Sequence, residues 1–120
     1  MNTLSYDQKI SVMRILLDIV LDDGRIDERE NAFFDRISNT LQLDDISKKD
    51  VDSRNSLIAL TDIKYFTEEQ KTQFSKLMGN MIIVDKDINY REVKIYDVVN
   101  EFCNLGSEFE SDDYKEFTHS

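Results

Sequence analysis

The chain contains two copies of one acidic turn, and this repetition constrains the fold more than any other sequence feature. The copies are Asp22-Asp23-Gly24-Arg25-Ile26-Asp27-Glu28-Arg29-Glu30 and Asp85-Lys86-Asp87-Ile88-Asn89-Tyr90-Arg91-Glu92. Asp23 and Asp85 lie 62 positions apart, and at this shift residues 3–43 align with residues 65–105 without a gap. Each copy follows an apolar stretch with helical spacing and precedes another. We therefore predict one helix–turn–helix unit that is used twice.

The predicted helix starts carry residues that cap the first free amides of a helix. Ser5–Gln8 and Thr67–Gln70 match the capping-box pattern, in which a hydroxyl and a glutamine side chain bond each other's backbone amides. Asp27 and Asn89 stand where we expect the caps of the helices that follow the two turns. Gly106 stands where the last helix is expected to end, because glycine readily adopts the left-handed conformation of a C-terminal cap.

The composition favours long helices over strands. The chain has 120 residues, no proline and three glycines, so few residues would break a helix. Hydrophobic residues make up 40%, which is enough for a globular core. We predict an all-α, single-domain bundle of about six to seven helices. The two repeats should bury their apolar faces against each other about a pseudo-two-fold axis, because neither could bury its face alone.

The predicted helical domain covers residues 1–106, with repeat one at about 3–43 and repeat two at about 65–105. Residues 44–64 connect the repeats and form either one helix or two. Residues 107–120 are an acidic tail with three aromatic side chains. This tail forms either a short helix packed on the bundle or a loose segment.

A formal net charge of −10 limits the partners of this chain. Phosphate backbones and anionic lipid surfaces repel such a protein, so we expect no nucleic-acid binding and no peripheral membrane role. The longest apolar runs have about four residues, far below the ~20 that a bilayer span needs, so we expect no membrane insertion. Cations and basic protein surfaces are compatible ligands. The sequence therefore favours a cytoplasmic protein with an unidentified protein partner.

No set of side chains suited to catalysis stands out. His119, the only histidine, lies next to the last residue. Cys103, the only cysteine, lies in an apolar helical stretch where burial is expected. Neither belongs to a pattern typical of a nucleophilic or a transition-metal site. We therefore predict a non-enzymatic protein without catalytic or cofactor-binding residues.

The acidic turns resemble those of the tellurite-resistance TerB family and its TerB-like relatives, in which the motif Asp-Gly-x-Ile/Leu-x-x-x-Glu joins two helices and occurs twice. The first copy has every position of that motif: Asp23, Gly24, Ile26 and Glu30. The second copy has Lys86 where glycine is usual and keeps the other three positions: Asp85, Ile88 and Glu92. The resemblance covers about residues 5–105.

This resemblance implies an all-helical bundle in a bacterial protein of stress or metal-oxyanion response. The family's acidic turn residues are suspected of binding divalent cations. Related domains attached to co-chaperone modules serve as interaction domains. No enzymatic activity is implied.

The density of carboxylates makes the two turns candidate cation sites. Calcium takes about six to eight oxygen ligands from carboxylates, carbonyls and water. The candidate ligands are three residues of each turn: Asp23, Asp27, Glu30, Asp85, Asn89 and Glu92. On this interpretation the chain binds a divalent cation, calcium first. A regular EF-hand is excluded, because its first two ligand positions would fall on Ile19 and Leu21.

The alternative interpretation of the turns needs no ligand. Asp27 and Asn89 would cap the following helices, and Glu30 and Glu92 would close capping boxes at the positive end of the helix dipole. Each cap contributes about 1 kcal/mol, which is enough to account for these residue types. The chain would then be a protein-interaction or adaptor module with purely structural turns. This alternative predicts an exposed apolar or acidic patch away from the turns.

Overall fold

Six α-helices make up the described part of the chain, and no strand occurs in that part. The computed structural model describes residues 4–21, 28–83 and 90–106. The helices in chain order are α1 (Tyr6–Leu21), α2 (Glu28–Thr40), α3 (Asp45–Ser53), α4 (Ser56–Lys64), α5 (Glu68–Ile83) and α6 (Tyr90–Cys103). The prediction of an all-α bundle of about six to seven helices is confirmed. None of the described helices is long and apolar enough to cross a membrane.

The starts of α1 and α5 are fixed by the two predicted capping boxes. The Ser5 amide donates to Gln8 Oε1 at 2.9 Å, and the Gln8 amide donates to Ser5 Oγ at 3.2 Å. Thr67 and Gln70 make the same pair of bonds, also at 2.9 and 3.2 Å. Each box satisfies two amides that have no partner inside the helix. Both helices then continue for 16 residues.

The helices α2 and α6 end in the same way, with a left-handed residue after the last turn. Gln42 has a φ of 59° and Asn104 has a φ of 58°. The amides of these residues and of the leucines that follow them donate to carbonyls of the last helical turn at 3.0 to 3.3 Å, which is the Schellman arrangement. The prediction that Gly106 ends the last helix is wrong, because Asn104 takes the left-handed position two residues earlier.

Residues 44–64 form two helices rather than one. Asp44 caps α3, because its Oδ1 accepts the Ser47 amide at 2.9 Å. Asn55 caps α4, because its Oδ1 accepts two amides of the first turn at 2.8 and 3.3 Å. The backbone is extended at Arg54 and Asn55, and this extended pair separates the two helices.

The central helix of the bundle is α1. It contacts α2, α3, α4 and α5, and its contact with α4 is the most extensive. Seven of its apolar side chains are buried: Ile10, Val12, Met13, Ile15, Leu16, Ile19 and Val20. A stripe this wide is typical of a helix that other helices surround. The neighbouring helices complete the core with fully buried side chains such as Ile63, Phe74 and Cys103.

The pairs α1–α2 and α5–α6 occupy the two predicted repeats. Helices α1 and α5 start and end at the 62-residue shift, and α2 and α6 also start at that shift. Helix α5 contacts both α1 and α6. The relation of the two pairs by a pseudo-two-fold axis stays a prediction, as do the domain bounds 1–106. Residues 107–120, including the predicted packed or loose tail, lie outside the described residues.

Candidate functional site

The structure describes two of the six predicted cation ligands, Glu30 and Glu92. The other four lie outside the described residues: Asp23, Asp27, Asp85 and Asn89. Each glutamate is the third residue of its helix, α2 or α6, and so follows directly after an acidic turn. Their side chains are only 3% and 2% exposed, which is rare for glutamate. Both positions are therefore interior, which the sequence pattern alone did not reveal.

The helix starts give the two buried carboxylates a favourable electrostatic environment, because free amides leave partial positive charge there. Each glutamate has interactions within the molecule. One oxygen of each, Oε2, is buried and accepts no hydrogen bond from the described residues. A carboxylate has about four acceptor positions in total. Capping a helix and offering an oxygen to a cation are therefore compatible roles of one side chain.

The described residues do not by themselves form a complete metal site. Residues 4–21, 28–83 and 90–106 contain no group of three or more His, Cys, Asp or Glu side chains that could hold a metal ion. A calcium ion needs about six to eight oxygens. A site at either glutamate would therefore draw its other ligands from turn residues 22–27 or 84–89, from carbonyls and from water.

A polar cluster that the sequence did not indicate lies where α1 meets α3 and α4. Arg54 donates to the Asp7 carboxylate at 3.1 Å and to Ser11 Oγ at 3.1 Å. It also donates to Asp62 Oδ2 at 3.4 Å, and the same oxygen accepts a 2.6 Å bond from Ser11. Two of the three partners lie more than 40 positions from Arg54, so no helical spacing rule could have found them.

A second arginine, Arg14 on α1, holds the end of α3. It donates to Asp18 Oδ1 at 2.8 Å and to the main-chain carbonyls of Val51 and Asp52 at 3.4 and 3.0 Å. A cation is stabilised near the last carbonyls of a helix, where the dipole is negative. The i,i+4 pair with Asp18 is the part of this cluster that sequence spacing could have indicated. Both arginines therefore have structural roles between helices.

An open cleft of about 710 Å³ adjoins the Arg54 cluster, and Tyr6, Asp7, Asp50 and Asp62 are among its lining residues. The Tyr6 hydroxyl donates to the Asp50 carboxylate, and this hydrogen bond raises the pKa of Tyr6. Asp7 and Asp62 pair with Arg54, as described above. These three carboxylates of the cleft thus have partners inside the protein.

Cys103 is a buried core residue, as its apolar stretch predicted. Its Sγ donates to Leu60 O at 3.3 Å. Burial raises the pKa of the Cys103 thiol to about 11, and the charges of Lys71 and Lys64 oppose this shift only in part. A thiol that keeps its proton at neutral pH is a poor nucleophile. The geometry therefore gives Cys103 a packing role.

Residues 1–53 match the model of the family described as Tellurite resistance protein TerB. Over these residues the chain resembles TerB. A crystal structure of a protein of unknown function from Porphyromonas gingivalis W83 superposes with a TM-score of 0.76, at 20% identity and over 98% of each chain. Similarity at this identity shows the fold alone. No curated protein matches the chain.

The TerB match covers α1, α2, α3 and the first acidic turn, which includes Asp23 and Glu30. The predicted resemblance to TerB is confirmed there. The match ends at residue 53, before α5, the second turn and Glu92. The first turn is therefore the part of the candidate site with the more direct link to the TerB family.

Apolar side chains are also exposed on α4 and α6. We call this area the α4–α6 surface and define it by five residues: Leu57, Leu60, Ile95, Val98 and Phe102. Leu57 is 67% exposed and Val98 is 61% exposed. A cavity of about 310 Å³ lies between α1, α4 and α6 along this surface. The helical spacing of apolar residues on α6 does not separate these exposed side chains from buried ones, because spacing alone does not say what covers a helix face.

Proposed function

We propose that this TerB-like chain is a non-enzymatic stress-response protein of the tellurite-resistance type that binds divalent cations, calcium first, at its acidic turns. Glu30 and Glu92 are the proposed interior ligands. The other proposed ligands are the turn residues Asp23, Asp27, Asp85 and Asn89. The observation that carries the proposal is the burial of two carboxylates at matching helix starts. A bound cation would offset the cost of removing these charges from water.

The two turns support this proposal unequally. The first turn has the full family motif and lies within the matched residues 1–53. The second turn has Lys86 in place of glycine, which adds a positive charge and a side chain beside the proposed ligands. We therefore expect the first turn to be the tighter of the two sites.

Calorimetric titration of the full chain with calcium tests the proposal. We expect heat of binding and a raised melting temperature, because a ligand that binds only the folded state stabilises it by about 2.7 kcal/mol at ~100 times its Kd. Magnesium, which demands a more rigid octahedral site, should bind more weakly. Absence of both heat and a melting shift at millimolar calcium would contradict the proposal.

Glutamine variants separate ligation from helix capping. Glu30→Gln and Glu92→Gln keep a side chain that can close a capping box but remove the charge. We expect calcium affinity to fall by roughly tenfold, or about 1.4 kcal/mol, with a smaller effect on stability without calcium. Glu28→Gln is the matched control, since Glu28 is an exposed residue of the same helical turn. If both interior variants bind calcium like the control, the turns are caps only.

The α4–α6 surface favours a second candidate function, a protein-interaction or adaptor module. Exposed apolar patches on soluble proteins often mark interaction sites. Val98→Asp should then abolish binding of a protein partner and leave the calcium titration unchanged, whereas Glu30→Gln should do the reverse. A partner whose binding is lost with Glu30→Gln but kept with Val98→Asp would contradict this assignment.

We also propose that the protein is not an enzyme and that it is cytoplasmic. The high pKa of the Cys103 thiol argues against a nucleophilic role for this residue. A single buried cysteine without a disulfide is typical of proteins from reducing compartments.

A further inference from the structure

Helix α6 exposes apolar side chains at positions where α2 exposes polar ones. Val98 and Phe102 are 61% and 43% exposed on α6. At the 62-residue shift these positions correspond to Arg36 and Thr40 on α2, which are also exposed. The two matching positions are thus exposed on both helices, and only the polarity of their side chains differs. A polar exposed face needs no cover, whereas the apolar face of α6 gains free energy from one.

The groove beside this face is suited to an aromatic side chain. Its cavity of about 310 Å³ is near the lower end of the usual range for ligand pockets. Two polar residues of its lining bond within the protein: Ser56 Oγ donates to Asp18 at 2.6 Å, and Asp18 pairs with Arg14 at 2.8 Å. The lining that remains accessible is apolar, with Leu60 and Val98 among its residues.

Positive charge borders the groove on both helices. Lys94 lies in the groove lining on α6. Lys64, in the last turn of α4, places its Nζ 5.4 Å from the centroid of the Phe102 ring. An occupant that combines aromatic rings with acidic side chains would complement both the apolar lining and these cations.

Residues 107–120, which lie outside the described residues, have this combination. They contain three aromatic residues, Phe109, Tyr114 and Phe117, and five acidic ones, Glu108, Glu110, Asp112, Asp113 and Glu116. The segment follows Gly106, only four residues after Phe102. An extended chain of this length reaches up to about 45 Å. The helix length from Ile95 to Phe102 is only about 10 Å, so the segment can reach the whole groove.

We propose that residues 107–120 bind the α4–α6 surface of the same molecule, with Tyr114 and Phe117 in the apolar groove and the acidic side chains facing Lys64 and Lys94. The covalent connection supports this occupant, because a short tether gives an effective concentration in the millimolar range. A second copy of the chain is disfavoured, since each copy carries a net charge of −10. This inference is independent of the proposed cation site, and a protein partner that binds the α4–α6 surface would have to displace residues 107–120.

A tryptophan reporter in the full chain tests the proposal. The sequence contains no tryptophan, so Phe117→Trp introduces a single fluorophore. We expect emission at shorter wavelength than in the urea-unfolded chain, together with protection from acrylamide quenching. Emission and quenching equal to those of the unfolded chain would overturn the proposal.

Groove variants in the Phe117→Trp background show where the reporter binds. Val98→Asp places a negative charge on the α4–α6 surface and should shift the emission to that of the unfolded chain. Ile46→Asp is the matched control, because Ile46 is an exposed apolar residue on α3 with 72% exposure. Equal shifts in the two variants would overturn the proposal. Lys64→Glu leaves every apolar side chain in place and must shift the emission in the same direction as Val98→Asp.

The dependence of the emission on protein concentration tests whether the occupant of the groove comes from the same molecule. The dependence of quenching on salt tests which forces hold it there. Binding within one molecule predicts emission that does not change with protein concentration. Emission that returns to the unfolded value on dilution would assign the groove to a second copy and overturn the intramolecular proposal. High salt should increase quenching partially, because it screens the acidic contacts but not the apolar ones.

Discussion

The helices α1 and α5 begin alike but are held by different forces. Both have the same capping box and the same length. On α1, Arg14 bonds Asp18 and two carbonyls of α3, whereas the matching position on α5 is Lys76, which is exposed. On α5, Phe74 is fully buried where α1 has the smaller Val12. The first helix pair thus relies on polar contacts to α3 and α4 in addition to its core, and the second relies more on large apolar side chains.

The helices that follow, α2 and α6, share their start and end but differ on their sides. Both have a buried glutamate at the third position and a left-handed residue after the last turn. The core side of α6 is more deeply buried: Tyr96 and Val99 are 3% exposed, whereas Phe34 and Ile37 of α2 are half-buried. The helices α2 and α6 therefore share the features at their two ends, and they differ in the side chains that their faces expose or bury.

The largest effect is expected for the aromatic core residue of the second pair. Phe74 is fully buried and packs edge-to-face on Phe66, with ring centroids 6.5 Å apart. Phe74→Ala should lower the free energy of unfolding by about 3–5 kcal/mol, because it leaves a cavity. Phe102→Ala, at an exposed position, should cost only about 1 kcal/mol. Urea unfolding of both variants checks this, and equal losses would mean that the second pair does not depend on its core phenylalanine.

The next effect is a pH dependence of the free energy of unfolding that Cys103 causes. It is confined to the second helix pair, because the matching position in the first pair is Leu41, which does not titrate. Burial raises the pKa of Cys103 to about 11 in the folded chain. Above its ordinary pKa, near 9, the thiol of the unfolded chain has lost its proton while the folded chain keeps it. The unfolded state then binds fewer protons, so the free energy of unfolding should fall by up to about 1.4 kcal/mol per pH unit between pH ~9 and ~11.

Cys103→Ala isolates this contribution, because alanine cannot titrate. Urea unfolding of the reduced protein at several pH values from about 8 to about 11 should show a steeper decline for the unaltered chain than for the variant. Parallel declines would show that the folded protein ionises this thiol as readily as the unfolded chain does.

A smaller effect is expected for the arginine that connects α1 to α3. Arg14→Ala should cost about 1–2 kcal/mol, because a charged donor is removed from Asp18 and from two carbonyls in a partly buried setting. Lys76→Ala changes the matching position on α5 and should change the free energy of unfolding by less than about 0.5 kcal/mol. Thermal melts in low and high salt would measure the difference. A larger loss for Lys76→Ala would reverse the contrast between the two helices.

The smallest effect on stability is expected for exchanges between the exposed faces of α2 and α6. Val98→Arg and Arg36→Val should each change the free energy of unfolding by less than about 0.5 kcal/mol, because surface substitutions seldom do more. Arg36→Val should nevertheless increase binding of a hydrophobic dye, because it adds an apolar side chain to an exposed face. A large loss of stability for Val98→Arg would show that the face of α6 belongs to the core.

The sequence correctly predicted the starts of α1 and α5, because capping is local chemistry. Ser5 with Gln8 and Thr67 with Gln70 form the expected boxes, since both partners of each box lie within four residues. The same local reasoning placed the end of the last helix at Gly106 instead of Asn104, because glycine is the commonest left-handed residue and asparagine is a less frequent alternative.

Contacts between distant segments could not be predicted from the sequence. Arg54 bonds Asp7 across 47 positions, and no periodicity relates the two. The burial of Glu30 and Glu92 likewise depends on which helices cover the turns, whereas the capping pattern is compatible with exposed or buried glutamates. The apolar spacing on α6 likewise does not separate Val99, which is buried, from Val98, which is exposed.

The left-handed backbone at Gln42 has a consequence for the engineering of heat resistance. A side chain with a Cβ makes this conformation unfavourable by roughly 1 kcal/mol, and asparagine, already present at Asn104, tolerates it better. Glycine has no such penalty. Gln42→Gly would therefore relieve steric strain at this position. The helix terminus, the interior and the charged exterior of the molecule would stay as they are.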